Sequence, residues 1–140
     1  MRPTPLADIL QPAPVIPMFS GIPAGFPSPA QDYMEPDINL AEILVPRPLS
    51  TFIIRVKGDS MIGANIPDGA LLVVDKSLKA KSGDIIVALV YNEFTVKRLV
   101  ETSRNWVLHP ENSLYKPVII VPEMDFRVWG VVTKIIIDPK

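Results

Sequence analysis

The chain has no cysteine in its 140 residues. Disulfides, thiolate metal sites and cysteine nucleophiles are excluded together, and the composition suits a reducing compartment. Histidine is almost missing as well, since His109 in "LHPEN" stands alone. One histidine and no cysteine leave a conventional zinc site short of ligands. A Ser-His-Asp triad would have to run through His109, which precedes a proline at a strand-to-turn position. The glycines of "GDSMIGANIPDG" lack the spacing of a phosphate-binding loop, and no Lys-Ser/Thr follows them. No cofactor and no metal are therefore expected. An excess of one charge is missing too: the net charge is −1, which gives no warrant for nucleic-acid or membrane-surface binding. No apolar run reaches the ~18 residues of a membrane span. The start, "MRPTPLADIL", is too broken by proline for a signal peptide. These absences together lead us to expect a cytoplasmic protein.

Proline, by contrast, is abundant and unevenly placed, with eleven of the sixteen in the first 48 residues. Each fixes its own φ, removes a donor and pushes its predecessor towards extended geometry. Residues 1–45 are expected to form an N-terminal arm, extended to about residue 36, with apolar anchors at Val15, Ile16, Met18, Phe19, Ile22 and Phe26 that predict docking rather than a free tail. "PDINLAEILVP" predicts one short helix, capped by Asp37 and ended by Pro46. In the middle of the arm Ala24 and Gly25 stand side by side in "SGIPAGFPSPAQDY". Two small residues leave the peptide bond between them open to approach.

From Thr51 the pattern changes to period two with β-branched runs. "TFIIRVKG", "ALLVVDK", "DIIVALVY", "FTVKRLV", "RNWVLHP", "PVIIV" and "FRVWGVVTKIIID" read as strands, with "NE" turning the chain between the third and fourth. Residues 46–140 are therefore expected to be a compact, mostly β domain, folded on itself as a partly closed antiparallel barrel or sandwich. The carboxylates Asp68 and Asp75 read as ordinary turn and strand-end residues.

Two local features could carry chemistry. Ser60 in "KGDSMI" follows a strand and a glycine, and falls where free backbone N–H groups cluster. Such a serine serves equally as a cap or, with those N–H groups as an oxyanion hole, as a nucleophile. Lys97 in "EFTVKRLV" shares a strand face with Thr95 and Leu99. It is either a surface lysine that snorkels to solvent or a desolvated one. Desolvation lowers a lysine's pKa, and a neutral amine can take the proton of a serine hydroxyl. Ser-Lys pairs replace Ser-His pairs in known hydrolases.

Ser60 in "GDSM", Lys97 in "FTVKRL" 37 residues later and an upstream Ala-Gly bond in a proline-rich arm resemble the LexA/UmuD family of self-cleaving Ser-Lys proteases. "FPSPAQDY", "GDSMI", "DGALLVVD", "GDIIVA" and "EFTVKRL" all fit its pattern, from about Pro17 onwards, and length, arm and spacing are most similar to its UmuD branch. The resemblance implies a curled, mostly antiparallel β core, similar to that of LexA and of signal peptidases, and a homodimer. It implies Ser60 as nucleophile, Lys97 as general base and Ala24–Gly25 as the scissile bond. It also implies stimulation by RecA filaments on single-stranded DNA, and a shortened product that joins a UmuC-type Y-family polymerase in translesion synthesis. LexA-type repressors carry a helix-turn-helix domain, which residues 1–45 do not suggest. Signal peptidases carry a membrane anchor, for which no segment is seen. The alternative expectation is a polymerase-binding regulatory subunit whose Ser-Lys pair is vestigial.

Overall fold

The computed structural model describes residues 14–25, 29 and 33–139. Phe26 and most of the first fourteen residues lie outside these. The chain divides into two units, Met1–Pro46 and Arg47–Lys140.

The first unit is extended and, beyond what the prolines suggested, paired. Strand β1 (Val15–Phe19) runs antiparallel to β2 (Met34–Asn39) as a two-stranded ribbon. Ile16 faces Ile38 and Met18 faces Glu35, so the register skips Pro17 on one strand and Pro36 and Asp37 on the other. A bulge is where residues without an N–H do least harm to a ladder. The Ser20 amide donates to the Tyr33 carbonyl at 2.8 Å and prolongs the pairing by one step. Ala24 and Gly25 lie in the loop between the two strands. Helix α1 spans Leu40–Leu44 and is capped by Asn39, whose Oδ1 accepts from the Ala41 amide at 3.0 Å. The cap is thus not Asp37, which is held in β2. The hairpin partner recruits three residues that the helix pattern alone assigns to a first turn.

The second unit holds seven strands: β3 (Thr51–Arg55), β4 (Leu71–Asp75), β5 (Ile85–Val90), β6 (Glu93–Glu101), β7 (Trp106–His109), β8 (Val118–Ile119) and β9 (Arg127–Ile136). They form one sheet in the order β3-β4-β9-β5-β6-β7-β8, and every pairing is antiparallel. The mostly β, antiparallel class is as the period-two pattern indicates. The β5–β6 turn is centred one residue earlier than the sequence suggests. Tyr91 (φ 50°) and Asn92 (φ 66°) both adopt left-handed geometry, the pair of conformations that a tight type I′ hairpin needs.

Strand β9 joins the two halves of the sheet. Its start pairs with β5 and its end with β4, the two ladders meeting at Val131, and each carries a register shift. The skipped residues are Trp129 and Thr133. Two clusters fill the interior: Met61, Ile66, Ala70, Leu72, Val74 and Val87 on one side, and Ile86, Ala88, Leu99, Leu108 and Val131 on the other. Strand β5 feeds both, because Ile86 and Ala88 point opposite to Val87.

Asp75 is not the plain strand-end carboxylate that its position suggested. It is buried at the end of β4. It accepts from the Ser77 hydroxyl and amide, from Arg47 Nε and from the Ser50 hydroxyl. The Ser77 hydroxyl bond is the largest of the effects that hold this carboxyl well below the usual carboxylate range, against a desolvation that pushes it up. A buried charge is tolerable only when its lone pairs are filled in this way.

At Gly130 an added Cβ would lie 2.6 Å from Val74 Cγ1 and 3.2 Å from the Asp75 carbonyl oxygen. Gly130→Ala is expected to overpack the β4–β9 contact and cost about 1–3 kcal/mol. Urea unfolding of the variant beside the wild type reads this directly, and an unchanged midpoint would contradict the close approach.

Candidate active site

Ser60 sits in the turn that leaves β3. Gly58 has φ +98°, which lets the chain exit sharply, and its amide donates to Asp68 Oδ1 at 2.7 Å. Met61 follows with its side chain buried in the core, and Ile66 is buried beyond the short 3-10 turn Ile62–Ala64. The serine is therefore pinned from the side that faces the interior. Among the described residues, neither the Ser60 nor the Met61 amide donates a hydrogen bond. Two free N–H groups beside a serine hydroxyl are what an oxyanion requires.

Lys97 lies in the middle of β6, opposite Ile86. Its Nζ is 3.1 Å from Ser60 Oγ, 2.9 Å from Thr95 Oγ1 and 3.0 Å from the Val96 carbonyl oxygen. The carbonyl can only accept. A neutral amine has two N–H bonds and one lone pair. With the N–H bonds directed at Thr95 and Val96, the lone pair is left for the Ser60 proton. Burial pushes the Lys97 amine below its ordinary value. It is half-buried rather than snorkelling.

The pair opens on a groove of about 480 Å³ whose walls include Phe52, Ile54, Val56, Phe94, Val96 and Trp129. Trp129, the bulged residue of β9, meets Phe52 and Phe94 edge-on, with ring centroids 5.1 and 4.8 Å away. Lys76 Nζ caps the indole at 4.9 Å. His109 ends β7 opposite Arg98 and bonds to neither Ser60 nor Lys97.

The structure thus brings Ser60 and Lys97 together, and places Ala24 and Gly25 in a loop of the first unit. The sequence pointed to Thr95 as a same-face neighbour of Lys97 but not as its hydrogen-bond partner. Asp59, Asn112 and Tyr115, which bond around the Ser60 turn, left no signal, because their contacts span 53 and 56 residues.

The Peptidase S24-like pattern matches residues 17–133. The chain belongs to the Peptidase S24-like family. MucA of Salmonella typhimurium is 46% identical to it over 118 residues, 84% of this chain and 80% of MucA. ImpA of Shigella flexneri is 42% identical over 113 residues, 81% of this chain and 77% of ImpA. The LexA repressor of Clostridium novyi is 35% identical over 105 residues, 75% of this chain and 52% of that repressor. Within the S24 group the chain is thus a UmuD-like member of the LexA/UmuD family, a self-cleaving, SOS-related family that includes serine peptidases. Among the described residues, no helix is long and apolar enough to cross a membrane.

A folded-state pKa below the unfolded value means that the native state binds fewer protons, so stability rises with pH across that window. Charged Lys97 therefore destabilises the fold at neutral pH. The deficit fades as pH rises through the depressed value towards ~10.4. Relative to wild type, Lys97→Met is expected to be more favourable at pH 7 than at pH 10. Urea unfolding at the two pH values measures the difference, and a pH-independent gap would exclude a desolvated amine.

Proposed function

We propose that this chain is a serine endopeptidase that cuts itself between Ala24 and Gly25. Ser60 Oγ attacks the Ala24 carbonyl while neutral Lys97 takes the hydroxyl proton. The oxyanion is held by the Ser60 and Met61 amides. The Lys97 ammonium returns its proton to the leaving Gly25 amine, which leaves Ala24 esterified to Ser60. Water then attacks the ester, again with Lys97 as base, and releases residues 1–24. The observation that carries the reading is the 3.1 Å approach of Lys97 Nζ to Ser60 Oγ by a lysine that burial pushes towards its neutral form.

The family membership supports a wider role. Residues 25–140 would act as the accessory subunit of a UmuC-type Y-family polymerase during error-prone translesion synthesis in the cytoplasm. The protein would work as a homodimer, with a RecA filament on single-stranded DNA as the activator of cleavage. The N-terminal arm would deliver its Ala-Gly bond to the groove.

Self-cleavage is expected to speed up with pH and level off once Lys97 has lost its proton, at a midpoint below the ~10.4 of a free lysine. Intact-mass spectrometry should find a body that begins at Gly25. Ser60→Ala and Lys97→Ala should lose at least ~100-fold in rate at every pH. His109→Ala should leave the profile unchanged. A wild-type chain that stays intact across pH 7–10 would instead favour a regulatory subunit with a vestigial pair, and a flat profile would exclude lysine as the base.

A further inference from the structure

The segment after β7 bonds to the residue before Ser60 and to the residue after Lys97. Asn112 Nδ2 donates to the Asp59 carbonyl oxygen at 2.9 Å, and the Tyr115 hydroxyl donates to Asp59 Oδ1 at 2.6 Å. One residue earlier, the Glu111 carbonyl accepts from the Gly63 amide at 2.7 Å. The two backbones are so close there that a Cβ on Gly63 would lie 2.6 Å from the Glu111 oxygen. The Glu111 carboxylate meanwhile pairs with Arg98 Nε at 2.5 Å, and Arg98 adjoins Lys97 on β6. The segment is ordered by its own bonds: Asn112 Oδ1 accepts from the Leu114 amide, and the Asn112 carbonyl from the Tyr115 amide, each at 3.0 Å.

We propose that Asn112 and Tyr115 are positioning residues that clamp the Asp59–Ser60 peptide and so aim the Ser60 hydroxyl and amide, an inference that rests on the Ser60–Lys97 reading above. The peptide unit is planar and trans, so its carbonyl and its N–H point in opposite directions. The Asp59 carbonyl is held by Asn112 and by the Ile62 amide at 3.2 Å. Fixing that oxygen fixes the Ser60 N–H on the far side of the same plane, where an oxyanion would need it. Tyr115 holds the Asp59 side chain and stops the turn from rolling about its own axis. Glu111 joins the clamp to the strand of the base, so nucleophile and base are referred to one frame.

Energetics separate aiming from mere support. Asp59 and Tyr115 are exposed, and solvent-exposed hydrogen bonds contribute little to folding because water replaces them when they break. A ~1 Å misplacement of a reacting group, by contrast, can cost ~100-fold in rate. The hydrogen bond to Asp59 and then its negative charge push the Tyr115 phenol above its ordinary value. The Lys97 amine is shifted the other way, by burial.

The test is the pH profile of self-cleavage by the full-length chain, read with thermal melting of each variant. Tyr115→Phe and Asn112→Ala are expected to stay folded and to lower the alkaline plateau by ~10-fold or more, with the Lys97 midpoint unmoved. Asp59→Ala should lose a similar factor, and Asp59→Asn, which still accepts from Tyr115, should recover most of it. Plateaus equal to wild type in both Tyr115→Phe and Asn112→Ala overturn the proposal. So does a midpoint that moves with the plateau, which would place the effect on the base. Activity that falls only as melting temperature falls, with Asp59→Asn no better than Asp59→Ala, also overturns it. A wild-type chain that never cuts overturns the proposed function, and this inference with it; a wild type that cuts beside unaffected variants overturns this inference alone.

Discussion

A lysine amine kept next to a serine hydroxyl, short of water, is the contact on which the other features depend. Burial disfavours the ammonium form of Lys97 and pushes the amine below its ordinary value. Phe52, Phe94 and Trp129 line the same groove as the amine and the hydroxyl, so the pair opens on an apolar wall.

Strand β9 lies between β5 and β4 and carries a bulge in each ladder. The bulge at Trp129 re-aims the indole, which packs between Phe52 and Phe94. Gly130 next to it lets β9 lie close to Val74 and Asp75. The end of β4 is in turn tied to the entry of β3 through Asp75, Arg47 and Ser50. Close backbone packing, a buried carboxylate and the groove's aromatic wall thus meet along β4 and β9.

The strands of the second unit were legible because each carries its own signal, whether alternation, β-branched residues or flanking glycine. Ser60 and Lys97 were legible for a similar reason: a Gly-Asp-Ser turn and a lysine in the centre of a strand are local departures from the expected pattern. What escaped was non-local or depended on a neighbour. Asp37 looked like a cap until its segment paired with β1 and passed the role to Asn39. Asp75 looked like a plain strand-end residue until Arg47 and two serines closed around it. Asn112 and Tyr115 drew no reading, since nothing within ten positions of them announces a bond to Asp59. The β5–β6 turn was misplaced by one position because Tyr91, a β-former by type, is forced into left-handed geometry by the strands on either side.

Sheet order has a further consequence for a chain that would be its own substrate. Ser60 leaves β3 and Lys97 stands on β6, and the order β3-β4-β9-β5-β6 puts three strands between them. The central one, β9, is the last strand of the chain. Without it β4 and β5 have no ladder in common, and the two halves of the site belong to separate hairpins. The approach of amine to hydroxyl is thus a property of the complete sheet and not of any fragment. Trp129, which lines the groove beside the pair, is carried by the same strand. Contacts of such long sequence separation form slowly, after loop closure has been overcome. A nascent or partly folded chain therefore holds a charged, solvated lysine far from its serine, and the reactive pair comes into being only with the complete fold.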